Sequence, residues 1–125
     1  METSGTILDG YDGTPVAIKR ALVSIASGTT DGACVTAVSG KRIRVLSAVV
    51  VPGAAVTVVT FNTKPAGAGT AISAAMSLAA STAHNLILNP HGHFQTSSGE
   101  GLTITTSASG VATGVHITYI EASEP

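Results

Sequence analysis

Val115-His116-Ile117-Thr118-Tyr119-Ile120-Glu121, near the end of the chain, begins by alternating apolar and polar side chains one by one. Successive residues of a strand point to opposite faces, so Val115, Ile117 and Tyr119 share one face and His116 and Thr118 the other. Leu102-Thr103-Ile104-Thr105 repeats the pattern, with the apolar pair set against the two threonines. One buried and one wetted face is the mark of antiparallel sheets, because parallel strands are covered on both sides.

Outward from these two stretches the same grammar continues. Val16 to Ala26 is strand-like and ends at the turn Ser27-Gly28-Thr29-Thr30-Asp31-Gly32. Ala33 to Val38 follows, then the break Ser39-Gly40, then Lys41 to Val51 closed by Pro52-Gly53. Glycine supplies positive φ and proline a fixed one, which is what turns require. Ala55 to Asn62 forms the next strand, and Thr63 to Gly69 a loop. Thr70 to Ala80 is rich in alanine, but Ile72, Ala74, Met76 and Leu78 recur at period two, so a strand is expected there. Asn85 to Leu88 and a short segment at Phe94 complete the set. About eight strands separated by turn signals predict an all-β antiparallel sandwich, jelly-roll-like, occupying residues 16–125 as a single domain. Residues 1–15 lack any strand period and are expected to form an extended N-terminal arm, with Ile7, Leu8 and Tyr11 as isolated apolar points.

Composition limits what such a domain can do. Charged residues make up 10% of the chain and aromatic ones 3%, against 44% apolar. The core must therefore be built mostly from small side chains. A mean hydropathy of +0.42 is high for a soluble monomer, so apolar surface is expected to be covered by self-association or by a partner. The net charge of -1 gives no field for nucleic acid or an acidic membrane. Lys41, Arg42 and Arg44 form the densest basic group, but strand alternation places Arg42 and Arg44 on one face and Lys41 on the other, the arrangement of a solvated strand start. Cys34, the only cysteine, reads as a small buried hydrophobe. Neither a basic segment followed by an apolar one at the start nor a long uninterrupted apolar run is present, so synthesis in the cytoplasm is expected.

The motifs of catalysis and cofactor binding fail on spacing. Gly40-Lys41 is followed by Arg42 where a phosphate loop needs Ser or Thr, and Gly67-Ala68-Gly69 reaches Ile72 where a dinucleotide loop needs its third glycine. The carboxylates Glu2, Asp9, Asp12, Asp31, Glu100, Glu121 and Glu124 lie mostly in the arm, at turns or in the tail, which gives paired acid–base work little support. His91-Gly92-His93 would place two imidazoles on one face of a strand, and His84 and His116 are further donors. Two ligands fall short of the four a structural zinc takes, and Asn89-Pro90-His91-Gly92 also spells a turn. No catalytic residue, cofactor or metal is expected.

From about Val35 to Glu121, some two thirds of the chain, the sequence resembles the jelly-roll head decoration or cement proteins of tailed bacteriophages. The likeness is carried by Val35-Thr36-Ala37-Val38-Ser39-Gly40-Lys41-Arg42-Ile43-Arg44-Val45-Leu46, by Val56, Val58 and Phe61, and by Ala71-Ile72-Ser73. It continues in Asn89-Pro90-His91-Gly92-His93-Phe94-Gln95-Thr96, in Gly99-Glu100-Gly101-Leu102-Thr103-Ile104 and in Val115 to Glu121. His93 stands where relatives often carry a larger aromatic, and Gly101 where they often carry Ala. The resemblance implies a virion protein on the capsid exterior that binds the major capsid protein lattice, and a homo-oligomer, a dimer or trimer, matched to a symmetry axis. The resemblance does not reach the N-terminal arm; Ile7, Leu8 and Tyr11 are the expected capsid contacts because they are apolar points in a Gly- and Asp-rich segment without strand period. The alternative is a tail- or fibre-associated β module binding a carbohydrate or receptor, with Tyr11, Phe61, Phe94 and Tyr119 as the available rings.

Because every well-defined apolar pattern has period two, far-UV circular dichroism should show a β spectrum. Helical content is expected to stay below about one fifth, where ordinary domains average roughly a third.

Overall fold

The computed structural model describes residues 6–8 and 15–123. Twelve strands follow one another there: β1 (Thr6–Leu8), β2 (Pro15–Ala17), β3 (Lys19–Ile25), β4 (Gly32–Val35), β5 (Lys41–Pro52), β6 (Thr57–Lys64), β7 (Thr70–Ala71), β8 (Met76–Leu78), β9 (His84–Leu86), β10 (Phe94–Gln95), β11 (Gly101–Thr106) and β12 (Thr113–Ser123). Every pairing is antiparallel, and the described residues contain no helix. One sheet runs β3-β12-β5, with β9 and β10 end to end along the far edge of β5; the other runs β4-β11-β6, with β7 and β8 end to end along the far edge of β6. The split edges make eight strand positions, four per sheet, in the order of a jelly roll.

Alternation does most of the sorting. In β12, Val115, Ile117 and Tyr119 face the other sheet, as do Leu102 and Ile104 of β11 and Val59 and Phe61 of β6. Phe61 is fully buried, and its ring lies 5.0 Å from that of Phe94 at 33°. Cys34 and Val35 close the core at β4. Burial pushes the Cys34 thiol up to about 12, so no thiolate forms at neutral pH.

β5 needs a correction of phase. Opposite β12 its register jumps between Ser47 and Val45, leaving Leu46 as an extra residue. Ile43 and Val45 point into the core before the bulge, and Ala48 and Val50 after it. Leu46 turns to the outer face of the sheet, where it meets Ile120 and Ala122 under Val16 and Ile18. The outer face is thus capped at one end by the segment around β2.

One expectation is revised by the geometry. Thr70 to Ala80 is not one strand. The chain leaves β6 after β7, because Ser73 Oγ accepts the Phe61 N–H at 2.8 Å while the N–H groups of Ile72 and Ser73 donate to Phe61 O at 2.9 and 3.3 Å. Ile72, Met76 and Leu78 still pack on the core, whereas Ala74 is exposed. Within the N-terminal arm, Thr6–Leu8 pairs with Pro15–Ala17 as a strand. Three residues are too few for alternation to register in a sequence.

Asp31 locks the outer face of the second sheet. Its Oδ1 accepts from Asn62 Nδ2 at 3.2 Å and Thr103 Oγ1 at 3.1 Å, and its Oδ2 accepts the Gly69 N–H at 3.0 Å. Its own N–H donates to Thr105 Oγ1 at 3.2 Å. A Cβ at position 69 would fall 2.2 Å from Asp31 Oδ1, so only glycine allows this approach. Asp31 sits at φ 53°, a left-handed conformation that Asp and Asn tolerate best. Asn62 and Thr103 are both buried, so removing the carboxylate leaves Thr103 Oγ1 without its acceptor and out of reach of water, while Asn62 Nδ2 keeps Thr105 Oγ1 at 2.9 Å.

Asp31→Ala is expected to destabilise the protein by about 2–3 kcal/mol, a fall in melting temperature of roughly 6–15 °C by calorimetry. Asp31→Asn keeps an acceptor and the backbone conformation and should lose clearly less. Cys34 should resist a thiol reagent in the native protein and react once the chain is unfolded in denaturant.

Candidate functional site

Two hollows lie among the described residues. Between the sheets at β8 and β9, bordered by Val50, Met76, Leu78, His84 and Leu86, is a space of about 30 Å³, room for one water. A larger hollow of about 280 Å³ is an open depression on the outer face of β3 and β12, lined by Arg20, Leu22, His116 and Thr118.

The four histidines are dispersed over the fold. His84 sits opposite Val50 with its Nε2 buried and unpartnered, and His116 lies between Leu22 and Val49 on the outer face. His91 and His93 belong to the loop after β9. Among the described residues no three His, Cys, Asp or Glu side chains come together to hold a metal. The basic group of β5 keeps the alternation read from the sequence, and each member is tied to a neighbour. Lys41 Nζ donates to Ser123 Oγ, an Arg42 guanidinium nitrogen donates to Thr96 O at 3.2 Å, and Arg44 Nε donates to Gln95 Oε1 at 3.0 Å.

The feature that stands out chemically is the loop from Ile87 to His93. Asn85 to Leu88 was expected as a strand, but pairing ends at Leu86. Ile87 and Leu88 then stand 78% and 63% exposed, large aliphatic side chains in water. The backbone beneath them is pinned. Asn89 N–H donates to Leu46 O at 2.9 Å and His93 N–H to Val45 O at 2.8 Å, so both ends of the turn are hooked to β5 at its bulge. Inside the turn, Gly92 N–H donates to Asn89 O at 2.9 Å and His91 N–H to Asn89 Oδ1 at 3.0 Å. A ring nitrogen of His93 closes on Ile87 O. Gly92 has φ 85°, and a Cβ there would come 2.4 Å from Arg44 Cγ, so the turn is specific to glycine on both counts. An ordered backbone presenting exposed apolar side chains has already met part of the entropy cost of binding. Sequence reading missed this pair, although four residues without alternation ahead of Asn89-Pro90 were a visible sign of a strand ending.

The expected capsid contacts fall elsewhere. Ile7 and Leu8 lie on β1, opposite Val16 and Pro15 by backbone register, and Tyr11 lies outside the described residues. The other rings are committed: Phe61 and Tyr119 are buried, and Phe94 packs on the same core.

No protein-family model and no curated protein matches the sequence. Among solved structures, the chain is similar to the CBM22-1–GH10 modules of Clostridium thermocellum endo-1,4-β-D-xylanase 10B complexed with xylohexaose. The TM-score is 0.44 at 12% identity, over 98% of this chain and 25% of that one, so this chain spans about a quarter of that length. It is also similar to the virus-like particle of Macrobrachium rosenbergii extra small virus, with TM-score 0.37 and 16% identity over 86% of this chain and 80% of that one. Infectious bursal disease virus, Gx strain, gives TM-score 0.32 and 16% identity over 95% of this chain and 37% of that one.

Proposed function

We propose that the protein is a bacteriophage capsid decoration protein, which binds the outside of the major capsid protein lattice as a homo-oligomer and stabilises the head. The observation that carries this reading is the pinned loop with Ile87 and Leu88 exposed: a contact surface, ordered in advance, on a domain poor in charge. Support also comes from the jelly-roll strand order and from the resemblance of Val35 to Glu121 to cement proteins. Such a protein has to be inert and to hold on permanently, and large apolar contacts suit permanent assemblies. On this reading it is made in the host cytoplasm and resides on the virion exterior, with Ile7, Leu8 and Tyr11 as a second set of contacts. The rival reading, a sugar-binding tail module, depends on rings free to stack on sugar faces, and the rings among the described residues are packed inward.

Quantitative mass spectrometry of purified virions should find hundreds of copies per particle; a few or tens would move the protein to the tail and overturn the reading. Purified protein should also cosediment with undecorated capsids. Burying one large aliphatic side chain contributes about 1.5–3 kcal/mol, so Ile87→Asp with Leu88→Asp should weaken that binding by at least about tenfold while leaving the β spectrum unchanged. Deleting residues 1–13 should weaken it as well. Undiminished binding by that truncation would remove Ile7, Leu8 and Tyr11 from the contact.

A further inference from the structure

A sheet edge exposes unpaired backbone N–H and C=O groups, and proteins blunt such edges by breaking them up, bulging them or charging them. Three of the four edges of this sandwich are treated in that way. The far edge of β5 carries only β9 and β10, three and two residues long, and the far edge of β6 only β7 and β8, two and three residues long. β4 has four residues and a register shift opposite Leu102 and Thr103. β3 differs. It runs for seven residues, Lys19-Arg20-Ala21-Leu22-Val23-Ser24-Ile25, without proline and without a register shift against β12. Among the described residues no strand pairs with its other side.

We infer that β3 is a dimerisation edge, pairing antiparallel with β3 of a second copy about a two-fold axis at Leu22, so that the two first sheets become one. The occupant follows from self-complementarity. Parallel pairing would set Lys19 and Arg20 beside their own copies, whereas antiparallel pairing sends the two basic ends to opposite ends of the ribbon. A slip by one residue would set core-facing side chains against outward ones, which alternation forbids. Of the registers that remain, only the one centred on Leu22 pairs all seven residues. It puts Leu22 against the partner's Leu22, Arg20 against the partner's Ser24, Ala21 against the partner's Val23, and Lys19 against the partner's Ile25. No like charges meet. Leu22, 71% exposed on the outer face, gains an apolar neighbour, and Ala21 and Val23, packed on the core and only partly covered, gain cover along the open edge. One strand per partner is a small interface, so the dimer is concentration-dependent. The pairing stands on the edge alone and does not depend on a role in a viral shell.

The test is cysteine cross-linking of the full chain. Facing residues of an antiparallel pair have Cα atoms about 4.5–5.5 Å apart, within the roughly 4.4–6.8 Å a disulfide spans. Leu22→Cys, oxidised with copper phenanthroline at micromolar concentration, should run mostly at twice 12.3 kDa without reductant. Wild type, with Cys34 buried, and Val58→Cys on the outer face of the second sheet should not. Arg20→Cys and Ser24→Cys should each stay uncross-linked alone and form a heterodimer when mixed, which fixes the register. Leu22→Lys should shift the protein to monomer in light scattering, with an unchanged β spectrum. A Leu22→Cys protein that stays monomeric on oxidation, or a dimer that survives Leu22→Lys, overturns the inference.

Discussion

The fold hangs on the ladder between β5 and β12, which runs from Lys41 opposite Ser123 to Pro52 opposite Thr113 at the middle of the first sheet. These strands serve two cores. Their inner faces supply Ile43, Val45, Ala48, Val50, Val115, Ile117 and Tyr119 to the space between the sheets, and their outer faces supply Leu46, Ile120 and Ala122 to the small cluster beneath Val16 and Ile18. β12 meets both demands as a regular strand, since odd positions point in through Tyr119 and even ones point out at Ile120 and Ala122. β5 does so only by holding Leu46 as an extra residue. Without it, everything from Ser47 onward would turn over, because the side-chain period is two. The run Val49-Val50-Val51 is apolar on both faces and would not resist such a slip by itself. Phase is therefore imposed by β12 and by the loop hooked to the carbonyls of Val45 and Leu46.

That division explains what could be read in the sequence and what could not. Alternation in Leu102 to Thr106 and Val115 to Glu121 announces an antiparallel sandwich, and glycine and proline mark its turns, so the number of strand positions is legible. Alternation is local, however, and the features that fix details join residues distant in sequence. Asp31 looks like one more turn residue, yet its partners Asn62, Gly69 and Thr103 come from three other parts of the chain. Ser73 interrupts a period-two segment only because the Phe61 backbone lies within reach. The bulge at Leu46 has no residue signature, since any apolar residue serves there. The candidate site was the least legible part: Ile87 and Leu88 are apolar, and in a sequence apolar means core until a turn pinned from beneath shows that they face water.

Distribution of ring and aliphatic groups bears on the kind of recognition this surface offers. The described rings are spent on the interior, where Phe61 and Phe94 stack and Tyr119 closes one end. Burial is the first cause that raises the Tyr119 hydroxyl above its ordinary value, Glu121 adds to it and Lys19 opposes it. What reaches the solvent is aliphatic: Leu22, Val56, Val58, Ile87 and Leu88. Aliphatic groups have neither the quadrupole that orients a ring on a sugar nor a polar tip to place a hydrogen bond. Their attraction is non-directional and scales with area, which suits broad protein surfaces more than small ligands.

Edge treatment follows the same economy of specificity. Breaking β7 from β8 and β9 from β10 leaves no continuous hydrogen-bonding row on either far edge, and the extra residue in β4 spoils a third. These breaks have costs: Ser73 must take over the Phe61 N–H, and the Ile87 to His93 turn must be tied down by backbone hydrogen bonds and a glycine-only conformation. A sequence that pays for protection at three edges while keeping seven regular residues at the fourth distinguishes between unwanted and usable pairing. The positive charges at the start of β3 sharpen the distinction. They leave an antiparallel copy unopposed and repel a parallel one, so the strand that remains open is open in one sense only.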